Sequence, residues 1–347
     1  MYVDCRTMTR QKVLQCSSRE DTVAKLKSLS IRSPLCNVFG EGPTTLSDIP
    51  ADLKDGKNGA VLGIDEAGRG PLLGPMVYCA SFWSIENDEE MNKKGFDDSK
   101  ALSMEARSRL FSRMKETMEL GLCVRVIHAS EISRNMFLAN DLYNLNSMSH
   151  DAAISVIRAV LNAGVKLERV YIDTVGIADF YQNKLERIFE GSGIQFFVEK
   201  KADSKFAPCS AASIAAKVIR DELTANWIWS ETNFEPAKNE DLLPIKYGSG
   251  YPSDPKCKTW MEKNLADPVF CFPDFLRFSW GPAKQSVRDN AVLVEWEADE
   301  EDETNGNDTH QQTRLSDFID GNCRKRKKAR FQVFEELGLS NVSSIEG

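Results

Sequence analysis

Four carboxylates stand out by position. Asp65 and Glu66 are adjacent in GIDEAGRG, Asp173 closes YID in YIDTVG, and Asp203 lies in EKKADSKF. Each ends or follows a short apolar run. Four acids drawn together repel one another strongly unless a cation neutralises them. With no Cys or His beside them they form an all-oxygen donor set, which suits Mg²⁺, or Mn²⁺ in its place, and not zinc. Two such ions about 4 Å apart can activate a water and support the leaving oxygen of a phosphodiester. Singly, each acid reads as readily as a helix cap or an exposed strand end. An adjacent pair directly after an apolar run, with two further acids at strand ends, is what favours a metal site.

Other residues could hold a substrate beside those acids. Gly68-Arg69-Gly70-Pro71, followed by Gly74-Pro75, lets backbone approach a ligand closely and offers a guanidinium for a phosphate. Such a loop could sense a ribose 2′-OH, the group that separates RNA from DNA. Its plain alternative is a strand-connecting turn, and its spacing is not that of the GxGxxG nucleotide loop. Lys100 in DDSK, with Lys200, Lys201 and Lys205, could meet phosphates or simply be solvated. Tyr251 in GSGYPSDP could stack on a base or sugar, or pack its own loop. The three histidines, His128, His150 and His310, are too few and scattered to suggest histidine chemistry. The nine cysteines contain no CxxC pair, which argues against a zinc site or a disulfide framework and for a reducing setting.

The elements that must position these residues are legible from periodicity. Short apolar runs at 60–64, 76–83, 122–127, 169–172 and 194–199 read as five strands. Helical spacing covers 103–119, where Leu102, Ala106, Leu110 and Met114 lie four apart, and also 140–162, 178–190 and 208–229. Gly164 stops the second of these. The early strands are close enough to pair antiparallel, and the later strand–helix alternation suggests parallel units. The expectation is an α/β fold, a five-stranded mixed sheet flanked by helices. Asp65, Glu66 and Asp173 would stand at strand ends along one edge, where ligand sites gather in such sheets.

Around this body, residues 1–57 lack periodicity and read as a poorly structured lead-in. The catalytic body would span 58–230, a helical extension 231–290, and a mostly disordered tail 291–347, acidic and then basic. The aromatics of FCFPDFLRFSW should build core around the extension. The chain has 347 residues and a net charge of −8. Seven acids in 295–303 and six bases in 324–330 are local, and the remainder is still acidic. A nucleic-acid surface would therefore have to be a patch. No apolar run is long enough for a membrane span, and no apolar stretch follows the first residues as a secretory signal would require.

GIDEAGRGPLLGPMVYCA, taken with DSKALS, YIDTVG, KADSKFAPCSAASIAAKVIRDE and GSGYPSDPKCKTWMEKN, closely resembles the ribonuclease HII family and its eukaryotic type 2 catalytic subunits, over residues 58–285. The resemblance implies a ribonuclease H-like fold with a helical C-terminal extension. It assigns the four metal-binding, catalytic acids to Asp65, Glu66, Asp173 and Asp203, the 2′-OH-sensing loop to Gly68, Arg69 and Gly70, and the substrate tyrosine to Tyr251. An Asp as fourth acid matches type 2 rather than type 3. It implies hydrolysis of the RNA strand of RNA–DNA hybrids and nicking 5′ of single ribonucleotides in duplex DNA, leaving 3′-hydroxyl and 5′-phosphate ends. Roles in ribonucleotide and RNA-primer removal during replication and repair go with it, as do two Mg²⁺ or Mn²⁺ ions and two non-catalytic subunits. The competing readings are another two-metal nuclease on the same fold and a catalytically silent hybrid-binding scaffold, against which all four acids speak. In the tail, RKRKKAR resembles a nuclear localisation signal, and Gln312–Ile319 a sliding-clamp peptide whose final aromatic is replaced by Ile319.

Overall fold

The computed structural model describes residues 44–96, 103–138, 143–225, 227, 247–265 and 271–292. Lys100, the 295–303 acidic run, Gln312–Ile319 and the basic run at 324–330 lie outside the described residues. One mixed sheet contains β1 (Thr45–Leu46), β2 (Gly59–Ala67), β3 (Met76–Ser84), β4 (Gly121–Ile127), β5 (Lys166–Asp173) and β6 (Gln195–Glu199). The spatial order is β1-β4-β3-β2-β5-β6. The pairs β1–β4, β4–β3 and β3–β2 are antiparallel, and β2–β5 and β5–β6 are parallel. The helices are α1 (Asp88–Lys93), α2 (Met104–Glu116), α3 (Ala129–Leu138), α4 (Leu145–Asn162), α5 (Ala178–Ile188), α6 (Ala207–Ala225), α7 (Pro255–Lys263) and α8 (Gly281–Asn290).

The five expected strands are present, and β1 is a sixth that corrects the lead-in reading for residues 44–57. Ser47 closes this edge: its N–H donates to Leu122 O at 2.8 Å and its Oγ accepts from Leu122 N at 2.9 Å. Leu53 is fully buried in the core. A two-residue strand is too short to show a period, so no pattern announced it. The helix expected from residue 140 starts at Leu145, because the Asn144 side chain caps it by accepting from the N–H groups of Asn146 and Ser147. The short helices α1 and α3 were not anticipated.

Side chains alternate across a strand, so β2 feeds two cores. Ala60, Leu62 and Ile64 join Tyr78, Ala80 and Phe82 against α4 and α5. Val61 and Ala67 join Val77, Cys79 and Trp83 against α2 and α6. Burial on both faces is why the β2 run reads as continuously apolar. Helix α6 lies close because Ala211, Ala212, Ala215 and Ala216 are fully buried small residues. Its N-terminal turn is fastened to the sheet by Ser81 Oγ, which donates to Pro208 O at 2.6 Å. A third cluster, built by Phe272, Phe275, Trp260 and Val287, encloses Leu72 and Leu73 of the β2–β3 connection. The C-terminal extension thus packs directly on the loop that follows the acid pair.

Candidate active site

The alternation that builds the cores also splits the acid pair. Asp65 stands on the α6 side of the sheet and Glu66 on the α4–α5 side, opposite Tyr78 of β3 in the ladder. The strand runs on through Ala67, so both acids lie within β2 rather than after it. Asp173 is the last residue of β5, the parallel neighbour of β2. Asp203 sits in a 3-10 turn, Ala202–Ser204, between β6 and α6. Asp65 and Asp203 are only 6% and 4% exposed. Burial, then the charge of Asp173 and that of Asp203, pushes the Asp65 carboxyl up to about 7, against the pull of a Ser213 hydrogen bond. Glu66 is pushed up to about 8 by burial, then by Asp65 and Asp173, with Arg69 opposing. Asp65 and Glu66 therefore feel the charges of Asp173 and Asp203.

An all-oxygen set, with Asp65 and Glu66 buried against the charges of the other acids, fits a hard divalent cation. Among the described residues, no three acidic, cysteine or histidine side chains are already drawn in as a ligand set around one point. The fit therefore rests on donor type, burial and mutual repulsion, and not on a preformed coordination shell.

Glu66 also lines a cleft of about 310 Å³ with the Gly68–Gly70 loop and Tyr251. Two glycines there bring backbone close to its neighbours, and geometry requires glycine at Gly68. Gly68 has φ +81°, and a Cβ on it would lie 2.6 Å from Pro75 O. A Cβ on Gly70 would lie 2.8 Å from the Tyr251 ring. Tyr251 is 45% exposed, a large aromatic left open at the cleft. Its loop is pinned by the Asp254 carboxylate, which accepts from Ser249 N and Ser249 Oγ at 2.7 Å each.

Several residues that shape this site were not singled out in the sequence. Arg277 is fully buried, and its guanidinium donates to the carbonyls of Gly68, Arg69 (2.9 Å) and Gly74 (2.9 Å). Burial lowers its pKa to about 9, with Arg220 adding to the effect, so it remains a cation at neutral pH. Trp280 Nε1 donates to Gly70 O at 3.2 Å. Arg69 donates to Asn146 Oδ1 at the start of α4. Arg107 of α2 and Lys217 and Arg220 of α6 bring three cations to the cleft wall, with Asp221 beside them. Of the lysines the sequence suggested, Lys205 pairs with Glu199, and Lys200 and Lys201 are exposed and do not line the cleft.

Comparison with known proteins bears on family and fold. The sequence family described as Ribonuclease HII matches residues 62–283. The A subunit of ribonuclease H2 from Rattus norvegicus is 40% identical over 293 residues, covering 83% of this chain and 92% of the relative. The crystal structure of the ribonuclease H2 from Pyrococcus horikoshii superposes with a TM-score of 0.53 at 27% identity, over 66% of this chain and 98% of that one. A PCNA:RNase HII complex from Archaeoglobus fulgidus gives a TM-score of 0.51 at 26% identity, over 64% and 94%.

Proposed function

The chain belongs to the ribonuclease HII family, with its ribonuclease H-like fold and type 2 ribonuclease H activity, and from that premise we propose that it cleaves the RNA strand of RNA–DNA hybrids and nicks duplex DNA 5′ of single embedded ribonucleotides. The observation that carries the finer reading is the placement of Asp65 and Glu66 on the central strand β2. Both feel the charges of Asp173 and Asp203, and Glu66 opens into the cleft of Gly68–Gly70 and Tyr251. Asp65, Glu66, Asp173 and Asp203 would hold two Mg²⁺ or Mn²⁺ ions, whose chemistry when bound is to lower the pKa of an attacking water and to neutralise charge at the leaving oxygen. The rest falls to the chain itself. Backbone groups of Gly68–Gly70, held in place by Arg277, meet the 2′-OH. The Tyr251 ring lies against the sugar at the junction. Arg107, Lys217 and Arg220 receive phosphates and orient the duplex. The products carry 3′-hydroxyl and 5′-phosphate ends, which suits ribonucleotide excision and primer removal.

The test is duplex DNA carrying one ribonucleotide, incubated with the full chain and its partner subunits in Mg²⁺, in Mn²⁺ and in EDTA. Metal-dependent nicking 5′ of the ribonucleotide, abolished in Asp65→Asn while duplex binding persists, is the expected result. Tight binding without nicking by the wild type would leave a hybrid-binding scaffold. The rat relative is by its name one subunit of a larger enzyme, which supports assembly with further subunits, two by the resemblance. The archaeal complex with PCNA supports clamp binding, for which Gln312–Ile319 is the candidate segment by its sequence, checked by titrating that peptide onto a clamp with Phe318→Ala as control. The basic run at 324–330 supports nuclear import, and unchanged nuclear fluorescence on its deletion would remove that role.

A further inference from the structure

Asp173 ends its strand, so the ladder of β5 does not fix the chain beyond it. The connection Thr174–Ile177 leads straight into α5. Two hydrogen bonds tie this segment toward β6. Asp173 Oδ1 accepts from Ala202 N at 3.2 Å, and Thr174 N donates to Glu199 O at 3.0 Å. The Thr174 hydroxyl is buried without a partner and offers no further tether. On the opposite side one side chain reaches in: His150 Nε2 lies 3.2 Å from Val175 O. A carbonyl only accepts, so this nitrogen carries the proton. The imidazole is 6% exposed and stacks on the Tyr181 ring at 3.8 Å between centroids and 15° between planes. Tyr181 belongs to α5, the helix that this connection opens, so the ring bridges loop and helix together.

One helical turn earlier, on the same face of α4, Asn146 accepts from Arg69 of the Gly68–Gly70 loop. It also borders the connection itself: a Cβ on Gly176 would lie 3.4 Å from Asn146 Nδ2. A single face of α4 therefore holds the segment that carries the third acid and the loop beside the acid pair.

Building on the ribonuclease H reading of the site, we propose that His150 is a positioning residue for Asp173, and that its Nε2–H, anchored on Tyr181, sets where the Asp173 carboxylate stands relative to Asp65 and Glu66. Partners that orient a ligating group through hydrogen bonds typically contribute about 10- to 100-fold to metal affinity or rate. His150→Phe keeps a ring for Tyr181 and removes the donor. His150→Gln keeps an N–H at similar reach. In the full chain with its partner subunits, His150→Phe should weaken Mn²⁺ binding, measured by calorimetry without substrate, about 10-fold. It should lower kcat by a similar factor and leave KM for the duplex within about twofold. His150→Gln should restore most of both. Should the Phe variant not melt cooperatively, His150→Met, which also lacks the donor, takes its place.

Wild-type Mn²⁺ affinity and kcat in the donor-less variant would overturn the proposal. So would equal impairment of the Gln and donor-less variants, which would assign His150 to packing alone. Wild-type protein and Asp173→Asn run alongside. A wild type that fails to cleave removes the ribonuclease reading and this inference with it, whereas a cleaving wild type with indifferent His150 variants removes only the inference.

Discussion

Asp65 carries a charge that its surroundings resist. Its pKa rises from 3.8 to about 7, chiefly through burial and then through Asp173. Between about pH 4 and pH 7 the folded chain retains a proton that the unfolded chain gives up. This acid therefore makes stability fall as pH rises through that window, and the penalty is absent only below it. Asp65→Asn removes the penalty. In EDTA at pH 8 the variant should exceed the wild type in stability, on the order of 2 kcal/mol, and the gap should shrink toward pH 5. Mn²⁺ should raise the melting temperature of the wild type at pH 8 and leave the variant nearly unmoved, since a ligand stabilises only the state that binds it. Thermal melts at the two pH values, with and without Mn²⁺, check both statements. A gap independent of pH would mean that the carboxylate is not strained. In the sequence these acids stood out for a different reason, an adjacent charged pair directly after an apolar run.

The extension formed by the loop at 247–254, α7, α8 and the described residues between them is held to the body through polar as well as apolar contacts. Leu72 N donates to Gly250 O at 2.8 Å, Gly74 N to Phe275 O at 2.8 Å, and Arg277 N to Leu72 O at 2.9 Å. With the Arg277 fork on three carbonyls, the β2–β3 loop is fastened from a segment some two hundred residues away. Arg277→Lys keeps the charge but cannot span the three acceptors. It should cost about 2 kcal/mol in urea unfolding, because buried carbonyls lose their donors. It should also reduce kcat/KM more than tenfold under conditions where the variant is fully folded. Normal kinetics in a folded Lys variant would show that the loop keeps its shape without the fork. Local pattern could not reveal this element. FCFPDFLRFSW reads as aromatic core, which is right for Phe272 and Phe275 and hides the arginine between them and Trp280. The strands around the acids were legible because burial writes itself into consecutive residues. The partners Arg277, Asn146 and His150 were not, because only the tertiary fold brings them to the loops they hold. The start of α4 had a local signal that periodicity overran: Asn144 is a capping residue type four positions inside the expected helix.

At the scale of the whole molecule, charge and function pull in opposite directions. The chain is net −8, yet its proposed partner is a polyanion. What reconciles them is placement: Arg69, Arg107, Lys217 and Arg220 line one cleft, and Asp221, which pairs with Arg107 and Arg220, has its pKa raised by burial. Lys217 also donates to Ser213 Oγ at 2.9 Å, on the α6 side that faces Asp65. If these cations meet phosphates, each contact releases counterions, and affinity for the duplex should fall with salt by a log–log slope of about 0.9 per contact. Lys217→Ala should lessen the slope of log KM against log salt by about one, with kcat at saturation largely kept. Lys166, at the other end of β5 from Asp173 and paired with Glu168 at 3.1 Å, is the control. Lys166→Ala changes the net charge by the same amount far from the cleft, so a bulk-field effect would move both variants alike. A slope that changes only in Lys217→Ala would locate the interaction at the cleft. Equal changes would mean that the duplex responds to total charge, and the cation wall would lose its role in seating the substrate.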